Sequence, residues 1–195
     1  KSGVVAAILN RTDSLGPAAD KRSRGELVLE ALDHNDAADA ADALSAIAPE
    51  AYRTFNLIIA DNRDAYWLCS RDGVSPVAAT EIPVGLSMIT STDLNDTRNF
   101  RIATYLPQFR DAAEPDPDKG DWTAWQEVLR QRHSHPDAGP SGAMCIVTDY
   151  GYGTGSSSLV ALASPEAVEE KRKNIWLFAK ARPDRALHEP VRLPF

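Results

Sequence analysis

Two short polar clusters carry residue types that can do chemistry. Asn10-Arg11 follows directly on the apolar run Val4–Leu9. An asparagine has both a donor and an acceptor, so at a strand end that faces a cleft it can stabilise an oxyanion or orient a ligand carbonyl. It also suits a plain turn, because asparagine tolerates left-handed backbone angles. Arg22-Ser23-Arg24 stands at the start of a helix, where two cations oppose the helix dipole. Helix stability does not explain them; the expected partner is a ligand carboxylate or phosphate, or else one of the many surface acids. Asn56 lies inside the strand-like run Thr54–Asp61, where its amide must be exposed or hydrogen-bonded.

Other candidates carry less. No P-loop, dinucleotide-binding glycine pattern, His-Glu-x-x-His or Cys-x-x-Cys occurs. His133-Ser134-His135, beside Asp137, offers two imidazoles, an incomplete ligand set, so these read as solvated loop residues and no metal is expected. Ser156-Ser157-Ser158 lacks the Gly-x-Ser-x-Gly elbow, and no histidine is suitably placed by sequence, so serine hydrolase chemistry is not expected. Cys69 and Cys145 sit in apolar strand-like runs. They read as buried thiols of a reducing compartment, hence a cytoplasmic protein, with a single disulfide left open.

The elements that must position these groups follow from periodicity. Val4–Leu9 reads as a buried strand. Ser23-Arg24-Gly25-Glu26 has the form of a capping box opening a helix through Leu27, Leu29 and Leu32. A second, alanine-rich helix starts near Asn35 or Asp36 and stops before Pro49. Thr54–Asp61, the turn Asn62-Arg63-Asp64, and Ala65–Ser70 form a hairpin. Asp72-Gly73 then turns the chain into Val77–Ile82. Further strands are expected at Gly85–Thr90, Ala143–Thr148, Ser156–Ala163 and Asn174–Ala179, and a helix over Trp122–His133. The tail from Pro183, with Pro190 and Pro194, reads as an extended wrap. Strands in consecutive hairpins with helices grouped between them predict α+β layers on antiparallel sheet. At 195 residues one domain, 1–195, is expected.

The net charge of −7 argues against a general nucleic-acid or membrane-surface binder, though a local basic patch is compatible with it. No apolar run approaches the roughly 20 residues of a membrane span. The first residue is Lys1 and the sheet begins almost at once. A domain seldom opens mid-sheet, so an upstream segment is expected.

Six blocks resemble one family: GVVAAILNR at Gly3–Arg11, GPAADKRSRGELV at Gly16–Val28, FNLIIAD at Phe55–Asp61, LSMITSTDLND at Leu86–Asp96, YLPQF at Tyr105–Phe109, and GYGTGSSSLVAL at Gly151–Leu162. Together and in this order they resemble the bacterial members of the NRDE family, also called the transport and Golgi organisation family. The resemblance implies an N-terminal-nucleophile-hydrolase-like fold, two stacked antiparallel sheets between helical layers (αββα). It also implies that the family's leading cysteine and Asn-Arg-Asp-Glu signature lie upstream; Asn62-Arg63-Asp64 is a hairpin turn and not that signature. A leading cysteine with its own α-amino base would make the protein an amide hydrolase. In that reading Asn10 is the oxyanion candidate, and a serine, Ser91, stands where a second amide is expected. Gly155 stands where many relatives carry arginine. The rival reading, equally implied by the resemblance, is a non-catalytic protein that binds and traffics haem or acyl-lipid and acyl-thioester ligands. Arg11, Arg22 and Arg24 would then stand at the pocket mouth, with Asn56 also against the ligand and haem as the cofactor; no axial ligand can be named. The partner is a small-molecule ligand or substrate, and homo-oligomerisation stays open.

Overall fold

The computed structural model describes residues 3–192. The start at Lys1 and Ser2 and the end of the tail at Pro194 lie outside the described residues. The 195 residues expected to form one domain divide into two compact units, Lys1–Asn95 and Asp96–Phe195. Both combine helices with antiparallel sheet, the fold class that the hairpin pattern predicts.

In the first unit, β1 (Val5–Asn10), β2 (Phe55–Ala60), β3 (Ala65–Ser70) and β4 (Ala78–Glu81) form one antiparallel sheet in the order β1-β2-β3-β4. Two helices, α1 (Gly25–Leu32) and α2 (Ala37–Ser45), cover one face. Strand residues alternate between faces. Phe55, Leu57 and Ile59 of β2 and Leu68 of β3 therefore point together into a core with Leu27, Ala31, Ala40, Ala41 and Leu44. The alanines of α2 let it lie close on the sheet. Truncating Leu57 or Ile59, both fully buried, to alanine should cost about 2–5 kcal/mol.

Local chemistry sets the element ends. The Asp36 side chain accepts from Asp39 N–H and caps α2. One Asp61 oxygen accepts from the backbone N–H of Arg63 and Asp64 and so closes the β2–β3 turn, while the other accepts from Ala37 N–H. This confirms Asn62-Arg63-Asp64 as a turn. The capping box does not form. Arg22 holds the Glu26 carboxylate at 2.6 Å, so that group cannot reach back to Ser23 N–H, and Ser23 Oγ accepts instead from Gly25 N–H. Nor is Gly85–Thr90 a strand. Its polar groups are spent elsewhere: Met88 N–H donates to Asn95 Oδ1, Met88 C=O accepts from Asn95 N–H, and Thr90 C=O accepts from Asn56.

The second unit holds α3 (Phe100–Asp111), α4 (Thr123–Leu129), β5 (Ser157–Ala161), α5 (Pro165–Glu169), β6 (Ile175–Ala179) and β7 (Glu189–Pro190). The last three strands form an antiparallel sheet in the order β5-β6-β7. Neither α3 nor α5 is expected from the sequence. Pro107 inside α3 disguised it, although Asn99 is a good cap and Ile102, Tyr105 and Leu106 have helical spacing and are buried. The helix expected over Trp122–His133 is shorter: Trp122 is its N-cap, and beyond Leu129 the Gln131 carbonyl accepts from Cys145 N–H. The strand expected over Ala143–Thr148 is reduced to a single bridge, Val147 with Gly153. Its backbone groups bind Gln131 and the Thr154 hydroxyl in place of a neighbouring strand.

Candidate functional site

Asn10 and Arg11 are neighbours in sequence, yet strand alternation sends them to opposite faces of the first-unit sheet. Asn10 pairs in register with Phe55, on the helix-covered face, whereas Leu9 and then Arg11 belong to the face of Asn56. Two separate polar clusters result.

The first is a cavity of 390 Å³ beside α1, lined by Asn10, Lys21, Arg22, Ser23, Arg24 and Arg53, with Ile8 as an apolar wall. Asn10 is exposed to it at the end of β1. The loop between β1 and α1 folds round the cavity, helped by Gly16 at φ +78°, a left-handed position that other residues resist. The cations have unequal partners. Arg22 is neutralised by Glu26 and lies 5.2 Å over the Tyr52 ring. Among the described residues Arg24 has no carboxylate partner: it donates to Ser14 Oγ at 3.0 Å and to Thr54 C=O at 2.9 Å. Arg53 donates to the carbonyls of Leu15 at 2.8 Å and Asp13 at 3.1 Å. Lys21 donates to Glu50 C=O at 2.6 Å and, among the described residues, pairs only with the exposed Asp20 carboxylate, at 4.0 Å. Burial, and then the charge of Arg53, push the Arg24 pKa below its ordinary value. Two guanidinium groups are therefore held close together by neutral oxygens, an arrangement that an anion would relieve.

The second cluster is closed. Asn56 is fully buried and uses all of its hydrogen-bonding capacity. Its Oδ1 accepts from Arg11 at 2.8 Å and from the Trp67 indole at 3.1 Å, and its Nδ2 donates to the carbonyls of Thr90 at 2.9 Å and Thr92 at 2.8 Å. Arg11 also donates to Cys69 Sγ at 3.2 Å and pairs with Asp93 at 2.8 Å, and Asp93 in turn takes Arg71 at 3.1 Å. Burial works to raise the Asp93 pKa, but the hydrogen bonds from Arg71 and Arg11 outweigh it and hold the carboxyl below its ordinary range. Burial raises the Cys69 thiol, and the two arginines offset only part of that. Ser91 sits in the segment that Asn56 pins down. Its carbonyl accepts from Thr12 N–H at 3.0 Å, and its hydroxyl makes no hydrogen bond among the described residues.

Of the residues singled out from sequence, Asn10, Arg22 and Arg24 therefore come together, and Arg11, Asn56 and Ser91 are set apart from them. Lys21 and Arg53 were missed. Lys21 adjoins Arg22 in sequence and was within reach of a charge-based reading, but nothing local marks Arg53.

Both cysteine expectations resolve as free, buried thiols, Cys69 in the first unit and Cys145 in the second. Burial, reinforced by Asp184, raises the Cys145 thiol. His135 stacks on Phe100 at 4.5 Å and lies 3.7 Å from Asp137. Among the described residues no group of three or more His, Cys, Asp or Glu side chains gathers as a metal site. One contact was not foreseen: His188 Nε2 lies 3.0 Å from Ser157 Oγ. Burial lowers the His188 pKa, but among the described residues its buried Nδ1 has no hydrogen-bond partner, so none of them orients the ring as a hydrolytic pair requires.

The model of one protein family, Transport and Golgi organisation 2, matches residues 1–170. The chain belongs to this family. The match includes both polar clusters of the first unit and most of the second unit, and the NRDE resemblance names the same family. No curated protein matches the chain. Among the described residues of this family member, no helix is long and apolar enough to cross a membrane.

Proposed function

We propose that this Transport and Golgi organisation 2 family protein binds a small molecule bearing a carboxylate or phosphate in the first-unit cavity. One observation carries the reading: Lys21, Arg24 and Arg53 line the cavity with neutral oxygens as their main partners. The ligand anion takes the charge that these groups leave unbalanced, and the Asn10 amide orients a carbonyl or a second polar group. Arg22, already paired with Glu26, contributes less. This supports the binding and trafficking reading, with an acyl ligand bearing a carboxylate or phosphate as the fitting chemistry.

A haem fits less well. The arginines suit its propionates, but among the described residues no His, Cys, Met or Tyr lines the cavity to reach the iron. Amide hydrolysis keeps Asn10 as a carbonyl-polarising group but finds no thiol at the cavity among the described residues. Cys69 lies on the other face of the sheet and Cys145 belongs to the other unit, both with raised pKa values. A chain of these 195 residues is therefore expected to bind its ligand without turning over a chromogenic amide. Isothermal titration with short acyl phosphates and carboxylates tests the reading. Saturable binding that Arg24→Met weakens by about tenfold or more supports it. Binding that is absent, or indifferent to Arg24→Met and Arg53→Met, rejects it.

A further inference from the structure

The first-unit cavity holds more positive charge than one carboxylate can balance. Lys21, Arg22, Arg24 and Arg53 line it, and among the described residues no Asp or Glu does. Two carboxylates reach these cations from outside the lining. Glu26 holds Arg22 at 2.6 Å, and the exposed Asp20 comes within 4.0 Å of Lys21. Even with both set in full against their cations, the charges of Arg24 and Arg53 remain uncompensated among the described residues. A monoanion leaves one of the two unmet beside the other, whereas a dianion meets both.

The donors left over suit several oxygens at once. The loop and Thr54 oxygens take only the terminal nitrogens of Arg24 and Arg53. Their Nε–H groups make no hydrogen bond among the described residues and are not shut off from solvent. Ser23 Oγ accepts from Gly25 N–H at 3.3 Å and keeps its own O–H proton to give. Gly25 lines the cavity at the start of α1, and a Cβ there would meet only Ser23 Oγ, at 3.4 Å, so the space before the helix is open. The Glu26 and Leu27 N–H groups are taken by the Ser23 and Arg24 carbonyls, so α1 adds the positive end of its dipole rather than further donors. Ile8, Pro17 and Ala18 supply an apolar wall for a carbon body. A phosphate monoester brings three terminal oxygens and about two negative charges near pH 7, where a carboxylate brings two oxygens and one charge.

We propose that this cavity selects the dianion of a phosphate monoester and discriminates against carboxylates and phosphodiesters. The inference rests on the anion-binding reading above and narrows its ligand class. Two phosphate oxygens accept from the Nε–H groups of Arg24 and Arg53, the third accepts from the Ser23 hydroxyl, and Lys21 adds charge. The apolar wall covers the body of the ester.

Hexyl phosphate, hexanoate and hexyl methyl phosphate share an alkyl chain and differ in the charge and oxygens of the head. Each is titrated calorimetrically into the full chain at about pH 7.5, above the second phosphate pKa of about 6, at equal ionic strength. The expected result is saturable binding of hexyl phosphate that is at least about tenfold tighter than that of either monoanion. Arg53→Met should reduce this preference severalfold; if that variant does not fold, Lys21→Met, which removes a partly exposed cation, should reduce it in the same direction. Hexanoate or the diester binding within about tenfold of the monoester overturns the proposal and leaves the anion-binding reading standing. No saturable binding of any of the three overturns both. A monoester preference that neither variant reduces also overturns the proposal, because the dianion then binds elsewhere.

Discussion

The two faces of the first-unit sheet use the same residue types to opposite ends. On one face Arg11 meets a carboxylate, an amide and a thiol, and Asn56 has no hydrogen-bonding capacity left. On the other, Arg24 and Arg53 rest on carbonyls and a hydroxyl, and Asn10 is exposed to a cavity. The difference teaches that an arginine or asparagine is not in itself a binding residue. What matters is whether its partners balance its charge and exhaust its donors. The closed cluster ties β1, β2, β3 and the 90–93 segment together; the open one keeps charge available.

The comparison breaks most visibly at Asn56. Asn56→Leu leaves the Arg11 and Trp67 donors and two carbonyls without their partner, and should cost about 3–5 kcal/mol in urea unfolding. Asn10→Ala, the same side chain on the open face, should change stability by less than about 0.5 kcal/mol while weakening ligand binding. Equal costs at the two positions would erase the distinction.

A smaller effect is expected at Asp93. Asp93→Asn removes the charge shared by Arg11 and Arg71 and should cost about 1–2 kcal/mol at pH 7. Its pH dependence has a definite sign. The folded-state pKa is depressed, so the contribution is complete above the unfolded carboxyl value of about 3.9 and disappears as pH falls through the lower folded value. Unfolding followed from pH 6 to pH 2 should therefore show a shallower loss of stability in Asp93→Asn than in the parent. Asp72, held at about 2 by the Ser75 hydroxyl and backbone N–H groups, titrates in the same acid window and remains in both proteins. An identical acid slope would show that Asp93 is not coupled to its arginines.

On the open face, Arg24→Met should leave Tm within a few degrees while lowering anion affinity about tenfold, and Arg11→Met should do the reverse. The smallest expected effect concerns the thiols. Both are buried with raised pKa values, so a disulfide reagent at pH 7 should label neither Cys69 nor Cys145 in the folded protein before local opening exposes them. Rapid labelling of Cys69 would mean that the closed face is open in solution.

Much of the first unit was legible in the sequence, because its signals are local. The Asp36 cap, the Pro49 stop, the Asn62-Arg63-Asp64 turn and the alternating residues of β2 and β3 each act within a few residues of chain. The family too could be read from ordered blocks. Where the tertiary structure decided otherwise, distant partners had captured local groups. Arg22 took Glu26 from its capping box. Asn56, tens of residues away, took the Thr90 carbonyl that a strand at Gly85–Thr90 would have needed, and the Gln131 carbonyl and Thr154 hydroxyl took the N–H groups of Cys145 and Ile146 within Ala143–Thr148. The candidate site divides on the same principle. That Asn10 ends a strand and that Arg24 opens a helix follow from the sequence alone. That Asn10 and Arg11 face opposite ways follows from pleating, which a reader of the sequence can apply only once the strand is known to run through Asn10. That Arg53 completes the open cavity, and that Arg11 is spent on Asp93, depended on long-range packing, because a side chain's type gives its capacity to bind and only its neighbours decide whether that capacity is already used.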